Sequence, residues 1–514
     1  MDTRLKKKQK NYLNIKSSKV EKYSNSNSEV PGNAISNSLL MTKAFVNGEW
    51  INAASSKTFD VTNPATGELI ASIPDMNRED VSKAVDAAYN AWPAYRDTTA
   101  GERANLLKKW YALILENKQE LATLMTMECG KVLQESLGEV DYGASFVEWF
   151  AEEAKRTYGD VIPANAKDKR IVVIKQSIGV VAALTPWNFP LAMITRKVGP
   201  ALAAGSTVVV KPPSETPLTG LALAYLAEKA GFPPGVYNTV TTIDSSEVGK
   251  ELCENKKVRK LSFTGSTNVG KILMKQCSST LKKLSLELGG NAPFIVFDDA
   301  DIDEAVNGAI VSKFRNSGQT CVCVNRVFVQ DKVYDEFVEK FSKAVSKLKV
   351  GNGMDEDVQV GPLINQKGLD KVQQHVDDAV AKGATIVQGG NRLEGLYYQP
   401  TVLSNANTDM IIAQDEVFGP VAPVFRFETE EEVIKMANDT DYGLASYFYS
   451  RDVARCWRVA EALEAGMVGI NDGMISTTVA PFGGVKESGM GREGSKYGMD
   501  YFMEIKYLCF GGIK

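Results

Sequence analysis

The chain has 514 residues, 44% hydrophobic and 24% charged, the profile of a globular protein long enough for more than one domain. Its single histidine, His375, excludes metal sites built from several imidazoles, and no uncharged apolar run approaches the roughly 18 residues of a membrane helix. The net charge is −4, but the first 40 residues carry eight basic and three acidic side chains, so the remainder stands at −9 and is a poor surface for nucleic acid.

Residues 1–40 hold seven Ser, six Asn and a Lys6, Lys7, Lys8, Lys10 cluster with no helical apolar period, which predicts a solvated tail and ordered sequence from about Met41. One Arg (Arg4) and three acids (Asp2, Glu21, Glu29) make it a poor transit peptide, so a cytoplasmic location is expected, with the mitochondrial matrix as the alternative. Seven cysteines, closely spaced only at Cys321 and Cys323, fit a reducing compartment rather than a disulfide framework. From Arg78 to Tyr158 apolar residues recur at spacings of three and four, predicting three long helices. From Gly179 short β runs alternate with helices: GVVAALTP, STVVVKP, GVYNTVT, KLSFTG and KKLSLELGG. That alternation predicts a doubly wound parallel sheet of nucleotide-binding type. A second series follows, APFIVF, RVFVQ, ATIVQ, VAPVFRF, GLASYFY and MVGI, so two doubly wound α/β domains lie in tandem without an internal repeat. His375, in QKGLDKVQQHVDDAV, reads as a surface residue of an exposed helix. The alternating stretches 171–176 and 504–510 read as exposed edges able to pair with another subunit.

Ligands bind at the carboxyl ends of such strands, so the residues there are the candidates for chemistry. In TGSTNVGK, Gly265 and Gly270 bracket a helix start whose free N–H groups suit a phosphate, although the full G-x-G-x-x-G fingerprint is absent and a plain turn is the alternative. Lys211 ends STVVVK and could meet a ribose or phosphate, or be a solvated loop lysine. Two prolines hold Trp187 and Asn188 in TPWNFP, where the Asn amide is either an oxyanion donor or a turn former. Cys253, Cys277 and Cys456 sit in helical patterns and read as inert packing thiols. Cys321 differs: it follows a helix stop in a polar stretch flanked by Arg315 and Arg326, which would favour thiolate. With one histidine in the chain, a carboxylate must serve as its partner base or as the activator of water, and Glu287 in LELGG is the candidate.

The motifs PWNFP, FTGST, LELGG, GQTC and DEVFGP, in this order and spacing from about Phe45 onward, closely resemble the aldehyde dehydrogenase superfamily. FVEWFAEEAKRTYGD, MITRKVGPALAAG, FRNSGQTCVC and FGGVKESGMGREGSKYG resemble its succinate-semialdehyde branch. The resemblance implies Cys321 as nucleophile, Glu287 as general base, and Asn188 with the Cys321 N–H as oxyanion donors. It implies cofactor contacts at Trp187, Asn188, Lys211, Gly265, Ser266, Leu288 and Glu416, and a grip on a distal substrate carboxylate by Arg196, Arg315 and Ser476. It further implies a cofactor domain at 41–157 and 179–287, a catalytic domain at 288–494, a small β oligomerisation arm at 158–178 and 495–514, and a homotetramer. The expected reaction is NAD(P)-dependent oxidation of succinate semialdehyde to succinate, as in 4-aminobutyrate degradation, with glutarate semialdehyde as the alternative. Ser214 stands where a Glu in the family repels the NADP 2′-phosphate, so NADP is expected and NAD is the alternative, with Glu215 as a complication. Cys321 and Cys323 form a candidate strained redox pair; otherwise Cys323 is a small residue and oxidants convert Cys321 to sulfenic acid.

Overall fold

Strands buried on both faces read as continuous apolar runs, and the first sheet is built from such runs. The structure, a computed structural model, describes residues 38–513. The predicted tail lies outside the described residues except at its end, where Leu39 is buried in the first core, so the ordered chain starts ahead of Met41. Val180–Leu184 and Thr207–Lys211 are buried at every position and pair in parallel. The eight-stranded order is Glu49–Ile51, Ala44–Val46, Tyr237–Thr239, Thr207–Lys211, Val180–Leu184, Val258–Thr264, Lys283–Glu287 and Gly489–Met490. The chain winds outward from Val180–Leu184 on one side, then returns to Val258–Thr264 on the other. That reversal opens a crevice at the strands' carboxyl ends, which are Leu184, Thr264 and Glu287.

The second sheet has the order Thr385–Gln388, Thr401–Ala406, Val421–Phe427, Val324–Gln330, Ala292–Val296, Ala445–Tyr449 and Met467–Ile470, parallel except at its first edge. Two α/β domains are present as expected. Thr401–Ala406 escapes the sequence reading because TVLSNA is short and half polar.

Four helices, not three, precede the first sheet: Arg78–Arg96, Ala100–Glu116, Lys118–Cys129 and Leu133–Glu153. Only Asn117 separates the second from the third, and the third stops at Gly130, left-handed at φ 80° and pressed against Pro362 and Pro64. Buried carboxylates from this layer cap later helices: Glu139 accepts from the N–H groups of Leu191 (2.9 Å) and Ala192 (3.1 Å) at the start of Ala192–Ala203. The negative group at the positive helix end fixes the element that carries Arg196 and Lys197.

The two predicted edges meet each other within one chain. Arg170–Ser177 pairs antiparallel with Met503–Phe510 over eight residues, and Asp160–Ile162 adds a third strand. The outer edges of this small sheet keep Val161, Ile505, Tyr507 and Phe510 exposed. His375 also departs from expectation. It lies three residues after Val372 and four before Ala379, on the apolar stripe of Gln366–Ala381, and is 2% exposed. Burial pushes its pKa down to about 4.

Candidate active site

Helix Ile302–Phe314 ends in a turn in which Asn316 (φ 50°), Ser317 (φ 57°) and Gly318 (φ 76°) are successively left-handed. Two non-glycine residues in that region are strained, and the surroundings over-determine them. The Ser317 hydroxyl donates to the Gly361 carbonyl (2.9 Å), the Asn316 amide to the Asn188 carbonyl (3.0 Å), and the Gln319 carboxamide accepts from Ile364 N–H (3.0 Å). A Cβ at Gly318 would stand 2.2 Å from the Gly419 carbonyl oxygen, so only glycine fits. The turn presents Cys321 in the wall shared by two cavities, of about 260 and 300 Å³.

Glu287 ends its strand beside this thiol. Gly290 follows because a Cβ there would come within 2.6 Å of the Cys321 carbonyl oxygen. The Glu287 Oε2 accepts from Arg196 Nη2 at 3.2 Å, while Oε1 has no nitrogen or oxygen donor and the carboxyl interacts with the Cys321 thiol. Burial raises the Glu287 pKa against the opposing pull of Arg196. Burial, then the Glu287 charge, pushes the thiol well above its ordinary value. The expected thiolate is therefore corrected to a protonated thiol beside a carboxylate. The flanking arginines do not reverse this. Arg326 spends its guanidinium on the carbonyls of Asn291 (2.9 Å), Met436 (2.9 Å) and Ala437 (2.8 Å).

Asn188 Nδ2 donates to the Gln319 carbonyl at 3.0 Å, leaving its second hydrogen for another acceptor. The Cys321 N–H makes no hydrogen bond among the described residues. Asn188 and Cys321 both line the cavity of about 300 Å³.

The smaller cavity is lined by Arg196, Arg315, Ser476, Tyr142, Phe189 and Phe482, among others. All three residues expected at a substrate carboxylate therefore meet there, but the two arginines differ. Arg196 is fully buried, paired with Glu287 and with Glu493, which also binds Lys197. Burial opposes its charge, yet the two carboxylates outweigh that and hold it ionised. Arg315 has no carboxylate within ion-pair distance among the described residues; it touches Met474 Sδ (2.7 Å) and the Phe189 ring. The Glu493–Lys197 pair has no signal in the sequence, since the partners stand 296 residues apart and only the fold brings them together.

The larger cavity is lined by Trp187, Gly265, Ser266, Gly289, Lys371, Glu416 and Phe418, among others. Ser266 caps helix Thr267–Cys277, whose free N–H groups open toward it. Burial raises the Glu416 pKa to about 7, and its Oε1 accepts from Gly290 N–H (3.3 Å). A Cβ at Gly289 would stand 3.2 Å from Glu416 Oε2. Leu288 packs against Gly270 beneath the cavity and bonds the Ser488 carbonyl through its N–H (3.0 Å). Lys211 and Ser214 do not line this cavity: Lys211 Nζ donates to Ser245 Oγ (2.6 Å), and the Ser214 hydroxyl to the Glu215 carboxylate (3.0 Å). An anion-accepting helix end, an unsaturated carboxylate and an aromatic wall fit a nicotinamide dinucleotide.

Residues 50–508 match the aldehyde dehydrogenase family. The chain belongs to the aldehyde dehydrogenase family. It is an NAD(P)-dependent aldehyde oxidoreductase. It is 59% identical over 471 residues to glutarate-semialdehyde dehydrogenase of Pseudomonas putida, covering 92% of this chain and 98% of that one. It is 58% identical over 475 residues to succinate-semialdehyde dehydrogenase [NADP(+)] of Escherichia coli, covering 92% and 98%. Among solved structures, succinate-semialdehyde dehydrogenase from Burkholderia pseudomallei aligns with a TM-score of 0.92 at 56% identity, covering 93% of this chain and all of that one. Among the described residues, no helix of this aldehyde dehydrogenase is long and apolar enough to cross a membrane.

Cys321 and Cys323 are both free and turn apart. Residues 321–323 form a turn rather than an extended strand, and Cys323 Sγ points to the Lys313 carbonyl (3.5 Å) while Cys321 meets Glu287.

Proposed function

We propose that this aldehyde dehydrogenase oxidises succinate semialdehyde to succinate, with Cys321 as nucleophile. The observation that carries the substrate reading is Arg315, a guanidinium with no carboxylate in ion-pair distance among the described residues, in a largely apolar cavity that opens onto the Cys321 thiol. A guanidinium fork matches a carboxylate in two hydrogen bonds, which an uncharged aldehyde cannot offer. Ser476 adds a hydroxyl in the same cavity.

Cys321 releases its proton to solvent and adds as thiolate to the aldehyde carbon to give a tetrahedral alkoxide. Asn188 Nδ2 and the Cys321 N–H stabilise that oxyanion. Trp187, Ser266 and Glu416 would hold a nicotinamide cofactor, which would supply the hydride acceptor. Glu287 then deprotonates the water that hydrolyses the thioester on Cys321, releasing the acid. Arg196 orients Glu287 throughout, acting through that carboxylate as well as toward substrate.

The Escherichia coli relative bears NADP in its name, which supports NADP as the preferred acceptor, and Ser214 adds to that reading. Glu215 works against it, since its carboxylate is held beside Ser214. Glutarate semialdehyde is the second reading, favoured by the name of the Pseudomonas putida relative. One methylene shifts discrimination by only about 1–3 kcal/mol in an apolar pocket. The deciding experiment compares kcat/KM over aldehydes with and without a terminal carboxylate, using NAD and NADP. Equal rates for butanal and succinate semialdehyde refute the carboxylate reading, and a tenfold preference for NAD refutes the Ser214 reading.

We further infer a homotetramer, supported by the exposed apolar edges of the arm sheet and by Val269, Ile272 and Met274 on the outer face of Thr267–Cys277. We also propose a cofactor domain at 41–157 and 179–287, a catalytic domain at 288–494 and an oligomerisation arm at 158–178 and 495–514. All seven cysteines are free, which supports a reducing compartment, the cytoplasm before the mitochondrial matrix.

A further inference from the structure

Two thiols far from Cys321 do more than fill space. Cys253 is the next-to-last residue of helix Ser245–Glu254, and Cys277 is the last of helix Thr267–Cys277. The helices pack side by side on one face of the first sheet, and their ends bring the two side chains together. Cys253 Sγ points to the Leu273 carbonyl (3.8 Å), one helical turn before Cys277, and the Thr280 hydroxyl lies within hydrogen-bond distance of both the Cys253 (3.3 Å) and Cys277 (3.2 Å) carbonyls. Both are free and all but inaccessible, at 0% and 1% exposed. At their other ends, Ser266 caps one helix in the wall of the larger cavity, and Ser245 opens the other and accepts from Lys211, which lies outside that wall.

We propose that Cys253 and Cys277 form a reversible dithiol–disulfide site, oxidised by hydroperoxides, that displaces the Ser266 helix end in the wall of the larger cavity and weakens cofactor binding there. The proposal rests on reading the larger cavity as the cofactor site.

The two thiols are chemically unequal. A position in a helix's last turn opposes a thiolate, because the dipole is negative there. Lys282 offsets this: its ammonium, fixed by the carbonyls of Asn255 (2.7 Å) and Val258 (2.8 Å), lies beside both sulfurs. Cys277, which leads directly into the exposed Ser278–Thr280 turn, is the thiol that loses its proton and attacks. It attacks one peroxide oxygen and the O–O bond breaks; the departing hydroxide takes up a proton as water, and Cys277 becomes a sulfenic acid. Cys253 then attacks that sulfur, the S–S bond forms, the S–O bond breaks, and a second water leaves with the Cys253 proton. Two thiols lose two electrons, and one peroxide gains them. Access comes from the segment directly after Cys277, where Ser278–Thr280 form a single 3-10 turn and Leu281 is left-handed (φ 51°) and 91% exposed. Opening that turn uncovers the sulfur without unfolding the sheet.

A disulfide holds its sulfurs at about 2.05 Å, closer than any thiol–thiol contact. Closing that gap draws the two helix ends together and tilts their opposite ends, where Ser245 and Ser266 stand. Cofactor binding weakens as a result.

The test uses the full chain carrying Cys321→Ser and Cys323→Ser, so that the active-site thiols do not react. After hydrogen peroxide, tryptic mapping should find residues 251–256 joined to residues 276–282 with the loss of two hydrogens, reversed by dithiothreitol. The Kd for NADP, read from tryptophan quenching, should rise at least threefold on oxidation and recover on reduction, and Cys253→Ser should abolish both effects. Mapping the unmodified chain in parallel keeps the chemistry testable if the double variant folds poorly. Absence of the joined peptides overturns the site. Joined peptides with an unchanged Kd overturn the coupling to cofactor, and a reduced protein that fails to bind NADP overturns the cofactor reading itself.

Discussion

Replacing Arg315 by alanine removes the guanidinium that has no carboxylate partner in the substrate-side cavity, whereas replacing Arg196 breaks a buried ion-pair cluster, so the two variants should fail differently. A hydrogen bond to a charged group contributes about 1.5–3 kcal/mol, which at about 1.4 kcal/mol per decade is roughly a 10- to 150-fold loss. Arg315→Ala should lose that much kcat/KM for succinate semialdehyde, mostly through KM, and change butanal less than about threefold. Its stability should hold, because the side chain is half-exposed and forms no ion pair among the described residues. Arg196→Ala leaves Glu287 and Glu493 buried with one cation fewer, a defect of about 3–5 kcal/mol. It also raises the Glu287 pKa further, so turnover should fall for both aldehydes and the thermal midpoint should drop. The assay pairs steady-state kinetics on the two substrates with thermal melts of each variant. A stable Arg196→Ala enzyme defective only with succinate semialdehyde would refute the structural part assigned to that arginine. Equal losses on both substrates in Arg315→Ala would remove it from the carboxylate grip.

Cys321→Ala should abolish oxidation, while Glu287→Gln should retain a hydride-transfer burst and then stall at the thioester. Because the Glu287 charge raises the Cys321 pKa, the burst in Glu287→Gln should reach half its maximum at lower pH than in the parent; an unshifted profile argues against thiol–carboxylate coupling. Peroxide inactivation reversed by dithiothreitol should depend on Cys323 if the two thiols can pair, and mass mapping of their shared peptide reads this. Since the sulfurs point apart, that bond requires the 321–323 turn to rearrange, and equal reversibility in Cys323→Ala would exclude Cys323. For His375 the folded pKa of about 4 lies below the free value of 6.5, so the folded chain binds fewer protons. Stability from this group is full above pH 6.5 and falls by about 3 kcal/mol as pH descends to 4. Denaturation midpoints of His375→Leu should lose that slope, and an unchanged slope would mean the ring is protonated in the folded state.

Alternation of apolar strands and helices sets two doubly wound domains and the strand ends that carry Lys211 and Glu287, because burial on both faces demands continuous apolar runs, whereas Cys321 stands in the turn ahead of its strand. The motifs around Cys321, Glu287, Glu416 and Asn188 likewise placed those residues in one site, and the glycines after Glu287 proved to be where backbones touch. His375 shows that periodicity was read too coarsely, as its place between Val372 and Ala379 already marked the buried stripe. Other features depend on partners remote in sequence and had no local signal. Arg326 looked like a charge beside the nucleophile, but three backbone carbonyls claim it; Arg196 and Arg315 looked equivalent until Glu493 paired with only one of them. Ionisation is set by burial and by neighbours across the fold, so the protonated state of Cys321, the ion pairing of Arg196 and the meeting of Cys253 with Cys277 were decided by tertiary structure alone.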